Sequence, residues 1–283
     1  MRWLVVGASG MLGQDLVEAL KERSYEVDGT GRAHLDITQQ SAVAEAVRGY
    51  DVVVNCAAWT GVDDAETHEG EAFRANAVGP ATLARAAHEA GARLVQISTD
   101  YVFDGDATTP YAEDTILAPR SAYGRTKGAG EWAVQAAASD YLIVRTAWLY
   151  GAHGSCFPKT MVKLLADRDS LSVVSDQIGQ PTWTVDLADL VVRLVEAGAP
   201  SGIYHGTSSG QTSWYEFARA AVVAAGFAAE QITETSSADV VRPAPRPAYS
   251  VLGHDALARA GVAAIGPWDE RWSAAASTVL ATH

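Results

Sequence analysis

A short apolar run, Trp3-Leu4-Val5-Val6, leads directly into Gly7-Ala8-Ser9-Gly10-Met11-Leu12-Gly13. Residues 11–23 then place apolar groups at helical spacing. A buried strand, a tight turn and a helix in that order commit the chain to an alternating α/β layout. Glycines at 7, 10 and 13 let backbone N–H groups approach a ligand closely. The helix start adds a dipole that favours phosphate. The spacing differs by one residue from the common Gly-x-Gly-x-x-Gly dinucleotide fingerprint. On its own such a turn serves plain structure as readily as binding, but its place after the first strand points to a dinucleotide pyrophosphate.

The alternation continues for half the chain. Strands are predicted at 25–30, 51–57, 93–98 and 141–146. Thr38 is the expected cap of a helix over 39–48 that Gly49 ends. Pro80 opens a helix that Gly91 closes, and a long helix starts near Ser121. Such a pattern builds a doubly wound parallel sheet with helices on both faces. The rhythm changes after Gly151. Helices are predicted at 157–165, 185–197 and 214–226 and a strand at 171–175, with the second helix returning to the first layer. Arg242-Pro243-Ala244-Pro245-Arg246-Pro247 must be a loop, since proline breaks helices and inner strands.

Two further segments carry chemistry. Ser98-Thr99-Asp100-Tyr101-Val102-Phe103 ends the fourth strand, and Tyr123-Gly124-Arg125-Thr126-Lys127 lies on the long helix. Four residues apart, Tyr123 and Lys127 share a helix face. A phenol is a weak acid, with a reference pKa of about 10, and a nearby ammonium lowers it. A tuned phenol can protonate an oxygen as a hydride arrives at the adjoining carbon. Taken alone, Tyr-x-x-x-Lys is common on protein surfaces. The glycine turn upstream makes a nicotinamide site the stronger reading.

These segments join Asn55-Cys56-Ala57-Ala58-Trp59-Thr60-Gly61-Val62-Asp63, Arg145-Thr146-Ala147-Trp148-Leu149-Tyr150-Gly151, Asp176-Gln177-Ile178-Gly179-Gln180-Pro181-Thr182 and Arg246-Pro247-Ala248-Tyr249-Ser250-Val251-Leu252. Together, and in this order, they resemble the extended short-chain dehydrogenase/reductases, and most closely the dTDP-4-dehydrorhamnose reductase family. The resemblance implies an α/β fold. A Rossmann-type doubly wound parallel sheet, 1–150 and 182–208, would bind the dinucleotide. A smaller C-terminal substrate-binding lobe, 151–181 and 209–283, would complete the chain.

The resemblance also implies an activity: reduction of the C4 keto group of a dTDP-4-keto-6-deoxy sugar. dTDP-4-dehydro-L-rhamnose would give dTDP-L-rhamnose, or a close analogue would be made. Tyr123 would donate the proton. Lys127 would lower its pKa and hold the nicotinamide ribose. Thr99, standing where many relatives have serine, would hold the carbonyl oxygen. Gly7, Gly10, Met11, Leu12 and Gly13 would face the pyrophosphate. Asp36 and Ile37 would meet the adenine, although Asp36 also suits a capping role with Thr38. Ala57, Ala58 and Thr60 would border the dinucleotide. Thr60, Val62, Thr99, Asp100, Tyr101 and Trp148 would line the sugar pocket. Lys159 and Arg246 are the candidates for the diphosphate, because each brings positive charge from the second lobe.

Cofactor choice follows from the end of the second strand. Gly31 takes the place of the acid that binds the ribose of NAD, and Arg32 follows it. An arginine there suits a 2′-phosphate, so NADPH is expected, with NADH second. Asp28 is the competing acid if the strand ends earlier. The Tyr123 helix departs from the family at Gly128, where leucine is common, and Gly130 follows. Each glycine costs a helix about 1 kcal/mol against alanine, so a close neighbour would justify one of them.

Composition narrows the partners. A formal charge of −13 argues against nucleic acid and anionic membranes. It also means that an anionic sugar nucleotide needs local cations or N–H donors. Cys56 and Cys156 do not make a disulfide framework, and Cys56 reads as a small core residue. No apolar leader precedes Gly7, so no signal peptide or span is expected and the cytoplasm is the expected compartment. The histidines show no metal-ligand spacing, and no metal is expected. The acidic run Asp63, Asp64, Glu66, Glu69, Glu71 reads as a solvated helix start. A homodimer is open to the chain, and the sequence does not fix its oligomeric state.

Other readings are open at this point. A related dTDP-sugar reductase of secondary metabolism, as for dihydrostreptose, fits equally by motif. A 4,6-dehydratase needs an Asp-Glu pair after the threonine, but Asp100 is followed by Tyr101. An epimerase would keep NAD permanently bound. The NADP-binding regulatory subunit of methionine adenosyltransferase resembles the same family and needs no turnover. Retention of Thr99, Tyr123 and Lys127 together argues for activity.

Overall fold

In the computed structural model, which describes residues 1–281, the first half alternates strands and helices. These are β1 (Arg2–Val6), α1 (Met11–Glu22), β2 (Glu26–Thr30), α2 (Gln40–Ala46) and β3 (Val52–Asn55). Then α3 (Glu69–Phe73) runs through a π turn into α4 (Gly79–Ala90). β4 (Arg93–Thr99), α5 (Ala122–Ala137) and β5 (Tyr141–Thr146) follow. Shorter elements come next: β6 (Leu149–Tyr150), α6 (Phe157–Ala166), β7 (Leu171–Val174), β8 (Ile178–Gly179) and β9 (Thr182–Trp183). The rest is α7 (Thr184–Glu196), β10 (Gly202–His205), β11 (Thr212–Ser213), α8 (Trp214–Ala224), β12 (Ile232–Thr235), α9 (Asp255–Arg259) and α10 (Trp268–Leu280). Residues 242–247 form no helix or strand, as their prolines require.

Six strands make one sheet, in the order β10-β5-β4-β3-β1-β2, with every pairing parallel. The strand order switches direction at β1, with β2 on one side and β3 on the other. Crevices for ligands open at such a switch, beyond the carboxyl ends of the strands. Successive residues of β1 serve opposite faces. Trp3 and Val5 pack with Leu16, Leu187 and Leu190 from α1 and α7. Leu4 and Val6 pack with Val43, Leu83 and Val134 from α2, α4 and α5. The expected return of the 185–197 helix to the first layer is therefore met, and Leu257 and Val262 join the same cluster.

Two local expectations need correcting. Thr38 does not cap α2. Asp36 Oδ1 accepts from both the Thr38 amide (2.9 Å) and its hydroxyl (2.8 Å), so the turn is closed one step earlier. The helix then begins after Gln39 with no side-chain cap. The acidic run is not a free solvated face either. Glu66 accepts from the Ala122 amide (2.8 Å), and Glu69 takes a two-pronged bond from Arg125. These carboxylates fasten residues 63–71 to the start of α5.

Candidate active site

At the mouth of β1 the chain can carry only glycine. Gly7 has φ +81°, and a Cβ there would lie 2.6 Å from the Ala57 amide nitrogen. A Cβ on Gly13 would lie 2.3 Å from the Gly7 carbonyl oxygen, so α1 sits directly on the turn. The Gly7 and Ala8 amides both donate to Thr30 O, tying the turn to the end of β2. Gly10 caps α1 without a side chain. The first-turn amides of Met11, Leu12 and Gly13 thus have no intrahelical partner and meet the crevice as a group of donors. Such donors, in a cradle that any Cβ would fill, fit a dinucleotide pyrophosphate.

At the end of β2, Arg32 is exposed. A Cβ on Gly31 would come 3.2 Å from Ser9 Oγ, so an acidic side chain there would crowd the turn. Asp28, the competing acid, is committed to Arg2 (3.0 Å) and the Tyr50 hydroxyl (2.7 Å). Asp36 is held by Thr38 as described. Ile37 is buried against Gly79, whose Cβ would reach within 2.3 Å of Ile37 Cδ1. Its side chain therefore belongs to the core.

Three strand ends carry the centre of the site. Beyond β3, Asn55 Oδ1 accepts from the Ala57 amide (3.1 Å). Ala58 is half-buried and Thr60 exposed. Asn76, buried in the π turn, accepts from the Trp59 amide (2.8 Å) and donates to Trp59 O and Thr126 Oγ1 (3.1 Å each). It clamps the 57–60 loop to the helix that carries Tyr123 and Lys127. No local sequence signal marks Asn76, since its partners lie 17 and 50 residues away.

β4 delivers Thr99 and Asp100, both buried. Thr99 Oγ1 donates to Asp100 Oδ1 (2.9 Å) and accepts from the Tyr101 amide (3.2 Å). Ser121 caps α5 by accepting from the Gly124 amide (3.1 Å). A Cβ on Gly124 would lie 2.2 Å from Tyr101 O, so α5 starts against the strand end. Tyr101 and Tyr123 meet edge to face, with centroids 5.5 Å apart. Burial pushes the Tyr123 phenol up to about 12, with the Thr99 hydroxyl, its hydrogen-bond neighbour, pulling the other way. Lys127 Nζ donates to Ile97 O (2.6 Å). Burial brings its ammonium down to about 8, while the fields of Glu131 and Cys56 oppose the fall. Cys56 adjoins Gly7, so the lysine and the glycine turn share one neighbour. In this state the phenol answers to burial, to Thr99 and to the charge of Asp100 rather than to the lysine.

The remaining expected residues divide. Val62 is half-buried on the loop beyond β3. Next to it, Asp63 takes both prongs of Arg246 (2.9 and 2.8 Å). Arg246 lines a small cleft with Tyr101 and Ser121. Trp148 follows β5 with φ +47°. Lys159 stands apart from this group: its ammonium is taken by the carbonyls of Ala152 and Gly154 in the loop before α6.

Behind the site lies a charge pair that motif reading passed over. Glu131 and Arg145 are both fully buried and bonded at 2.7 Å. Ser98 Oγ donates to Glu131 (2.5 Å), and Arg145 Nη1 donates to Glu113 O (3.0 Å). Among the described residues one grouping of metal-ligating atoms occurs, Asp15, Glu18 and His153, within 4.8 Å of one another. His153 Nε2 stands 3.4 Å from Asp15 Oδ1, a contact joining α1 to the loop before α6. Histidine spacing along the chain carries no trace of it. No helix among these residues is long and apolar enough to cross a membrane.

The switch-point crevice, the glycine cradle and the group of buried Thr99 and Lys127 with half-buried Tyr123 define a dinucleotide-dependent α/β protein. The family described as RmlD substrate binding domain matches residues 1–280. The chain is 48% identical to a dTDP-4-dehydrorhamnose reductase of Streptomyces griseus, covering 94% of this chain and 90% of that one. It is 46% identical to a probable dTDP-4,6-dihydroxy-2-methyloxan-3-one 4-ketoreductase of Streptomyces antibioticus, covering 100% and 97%. The dTDP-4-dehydrorhamnose reductase of Bacillus anthracis, solved in complex with NADP, superposes with a TM-score of 0.93 at 38% identity, covering 96% and 97%. The chain belongs to the dTDP-4-dehydrorhamnose reductase family of oxidoreductases.

Proposed function

We propose that this protein reduces the C4 keto group of a dTDP-4-keto-6-deoxy sugar with NADPH, dTDP-4-dehydro-L-rhamnose being the leading substrate. The observation that carries the reading is the meeting of Thr99, Tyr123 and Lys127 at the strand ends beside the glycine cradle. NADPH, when bound, supplies the hydride. The amides of Met11, Leu12 and Gly13 would hold its pyrophosphate, and Arg32 would meet the 2′-phosphate. Ala57, Ala58 and Thr60 would border it.

Thr99, turning its one hydroxyl proton from Asp100 to the carbonyl oxygen, polarises it; donors held at a developing charge are a large catalytic term. Tyr123 keeps its proton at neutral pH, because burial has raised it. It releases that proton only when negative charge grows on the neighbouring oxygen. The Lys127 ammonium, present below about pH 8, stabilises the phenolate left behind. Residues 151–181 and 209–283 act as the substrate-binding lobe. Asp100, Tyr101, Trp148 and Val62 line the sugar pocket, and Arg246 answers the diphosphate. Two unpaired thiols, Cys56 and Cys156, suit the reducing cytoplasm.

A reductase of a neighbouring dTDP-sugar is the second reading. The 46%-identical Streptomyces antibioticus relative, named for a different 4-keto sugar, favours it. The test is NADPH consumption with dTDP-4-keto-6-deoxy sugars, with and without a 3,5-epimerase. Turnover only with epimerase supports the rhamnose reading. Turnover without it supports the second. The Tyr123→Phe variant should lose about 10²–10⁴-fold in kcat while binding NADPH as before; a variant that keeps most of its rate removes Tyr123 as proton donor.

A further inference from the structure

Among the described residues two non-glycine positions have positive φ, Ser24 and Trp148. Ser24 lies in the turn between α1 and β2. Trp148 is different: a bulky side chain in the left-handed region is held there by its surroundings. Three contacts from two stretches of chain do the holding. Its indole stacks on Trp214, with centroids 3.6 Å apart and planes 11° off parallel. A Cβ on Gly179 would fall 2.5 Å from Trp148 Cε2, so any other residue at position 179 would evict the ring. Its carbonyl accepts from the Thr182 amide (3.3 Å).

Trp214 is itself fixed. It opens α8, which Ser213 caps by accepting from the Glu216 amide (3.1 Å), and it leans on Phe157 at 4.4 Å. Both stacked indoles are only half-buried. The core aromatics beneath them, Tyr150, Phe217 and Trp272, are 0–4% exposed. Hydrophobic burial alone does not call for a flat pair at the rim. Trp148 also emerges two residues past Thr146, which pairs in register with Thr99. The pair therefore stands beside the reacting end of the site.

We infer that Trp214 is a positioning residue for the sugar subsite: it backs Trp148 and sets the plane against which the apolar face of the 6-deoxy pyranose packs. This rests on the proposed reading in which Trp148 meets the sugar. Trp214 touches no substrate; it acts through Trp148 alone. Flat aromatic support matters here rather than bulk, because a sugar's C–H face packs on a ring plane.

The test compares Trp214→Phe with Trp214→Leu, both smaller apolar side chains, of which only Phe keeps a ring plane. Trp214→Leu should raise KM for the keto-sugar tenfold or more, leave kcat within threefold, and leave NADPH affinity by fluorescence titration unchanged. Trp214→Phe should stay within threefold of the parent KM. An active parent whose KM is untouched by Trp214→Leu overturns this role alone. So does a fall in kcat at constant KM, or a loss shared equally with NADPH binding. A parent inert on every keto-sugar sinks the functional reading and this role with it. If Trp214→Leu does not fold, Trp214→Phe against Trp214→Met decides by the same KM comparison.

Discussion

Gly128 and Gly130 lie two residues apart in α5, yet alanine at each should move stability in opposite directions. A Cβ on Gly128 would meet Leu117 Cδ1 at 3.5 Å and Val102 Cγ1 at 4.0 Å, ordinary contact distances. Gly128→Ala should then gain about 1 kcal/mol from helix propensity, with up to about 0.8 kcal/mol more from the buried methyl. A Cβ on Gly130 would sit 2.0 Å from Asn76 O. That atom is backbone and cannot swing aside. Overpacking costs about 1–3 kcal/mol. Moving Asn76 also strains its bonds to Trp59 and Thr126, each worth about 1 kcal/mol. Against a propensity gain of about 1 kcal/mol, Gly130→Ala should lose about 2 kcal/mol net. Urea unfolding followed by tryptophan fluorescence reads both at constant m-value. Two midpoints shifted in the same direction would refute the account of α5. Gly130→Ala should also weaken NADPH binding, since Asn76 holds the 57–60 loop.

Three further outcomes are expected. Glu131→Gln leaves the Arg145 guanidinium buried and unpaired, a loss of about 3–5 kcal/mol in urea unfolding, most of it recovered by adding Arg145→Met; a double variant no better than the single one contradicts this. Asp100 is pushed up to about 6 by burial, so the native state keeps a proton that the unfolded chain releases from about pH 4. Its contribution to stability therefore declines as pH rises from 4 to 6 and stays lost above; Asp100→Asn should remove that slope, and identical stability profiles for both proteins between pH 4 and 7 would exclude it. Arg32→Ala should weaken NADPH about tenfold or more while sparing NADH, measured by fluorescence titration, and equal losses would dissociate Arg32 from the 2′-phosphate.

The parts of the fold written in local chemistry were legible. Periodicity and glycine placed β1, the turn and α1, and Pro80 and Gly91 bracketed α4. Ser121 announced α5, and with it the shared face of Tyr123 and Lys127. Contacts made across long stretches of chain left no such mark. Two-residue strands such as β6, β8, β9 and β11 exist only through distant partners, so no period betrays them. The Asp63–Arg246 tie spans 183 residues, and the Glu131–Arg145 pair needs two strands and a helix in place first. Thr38 failed as a cap for a related reason: two competing oxygens stood within reach, and sequence does not rank them. Gly130 had a motive the sequence described only in kind, a close neighbour, which proved to be Asn76 O.

Leu16 and Leu20 of α1 rest on Leu187, Leu190 and Leu194, and on Leu257 and Val262 beyond them. During synthesis the first helix therefore leaves the ribosome long before the surfaces meant to cover it. At 5–20 residues per second the wait for α7 is roughly ten to thirty seconds. Throughout that interval an apolar stripe beside the nucleotide cradle faces water. The stripe thus stays open to other apolar surfaces for reasons that have nothing to do with the chemistry of the finished site.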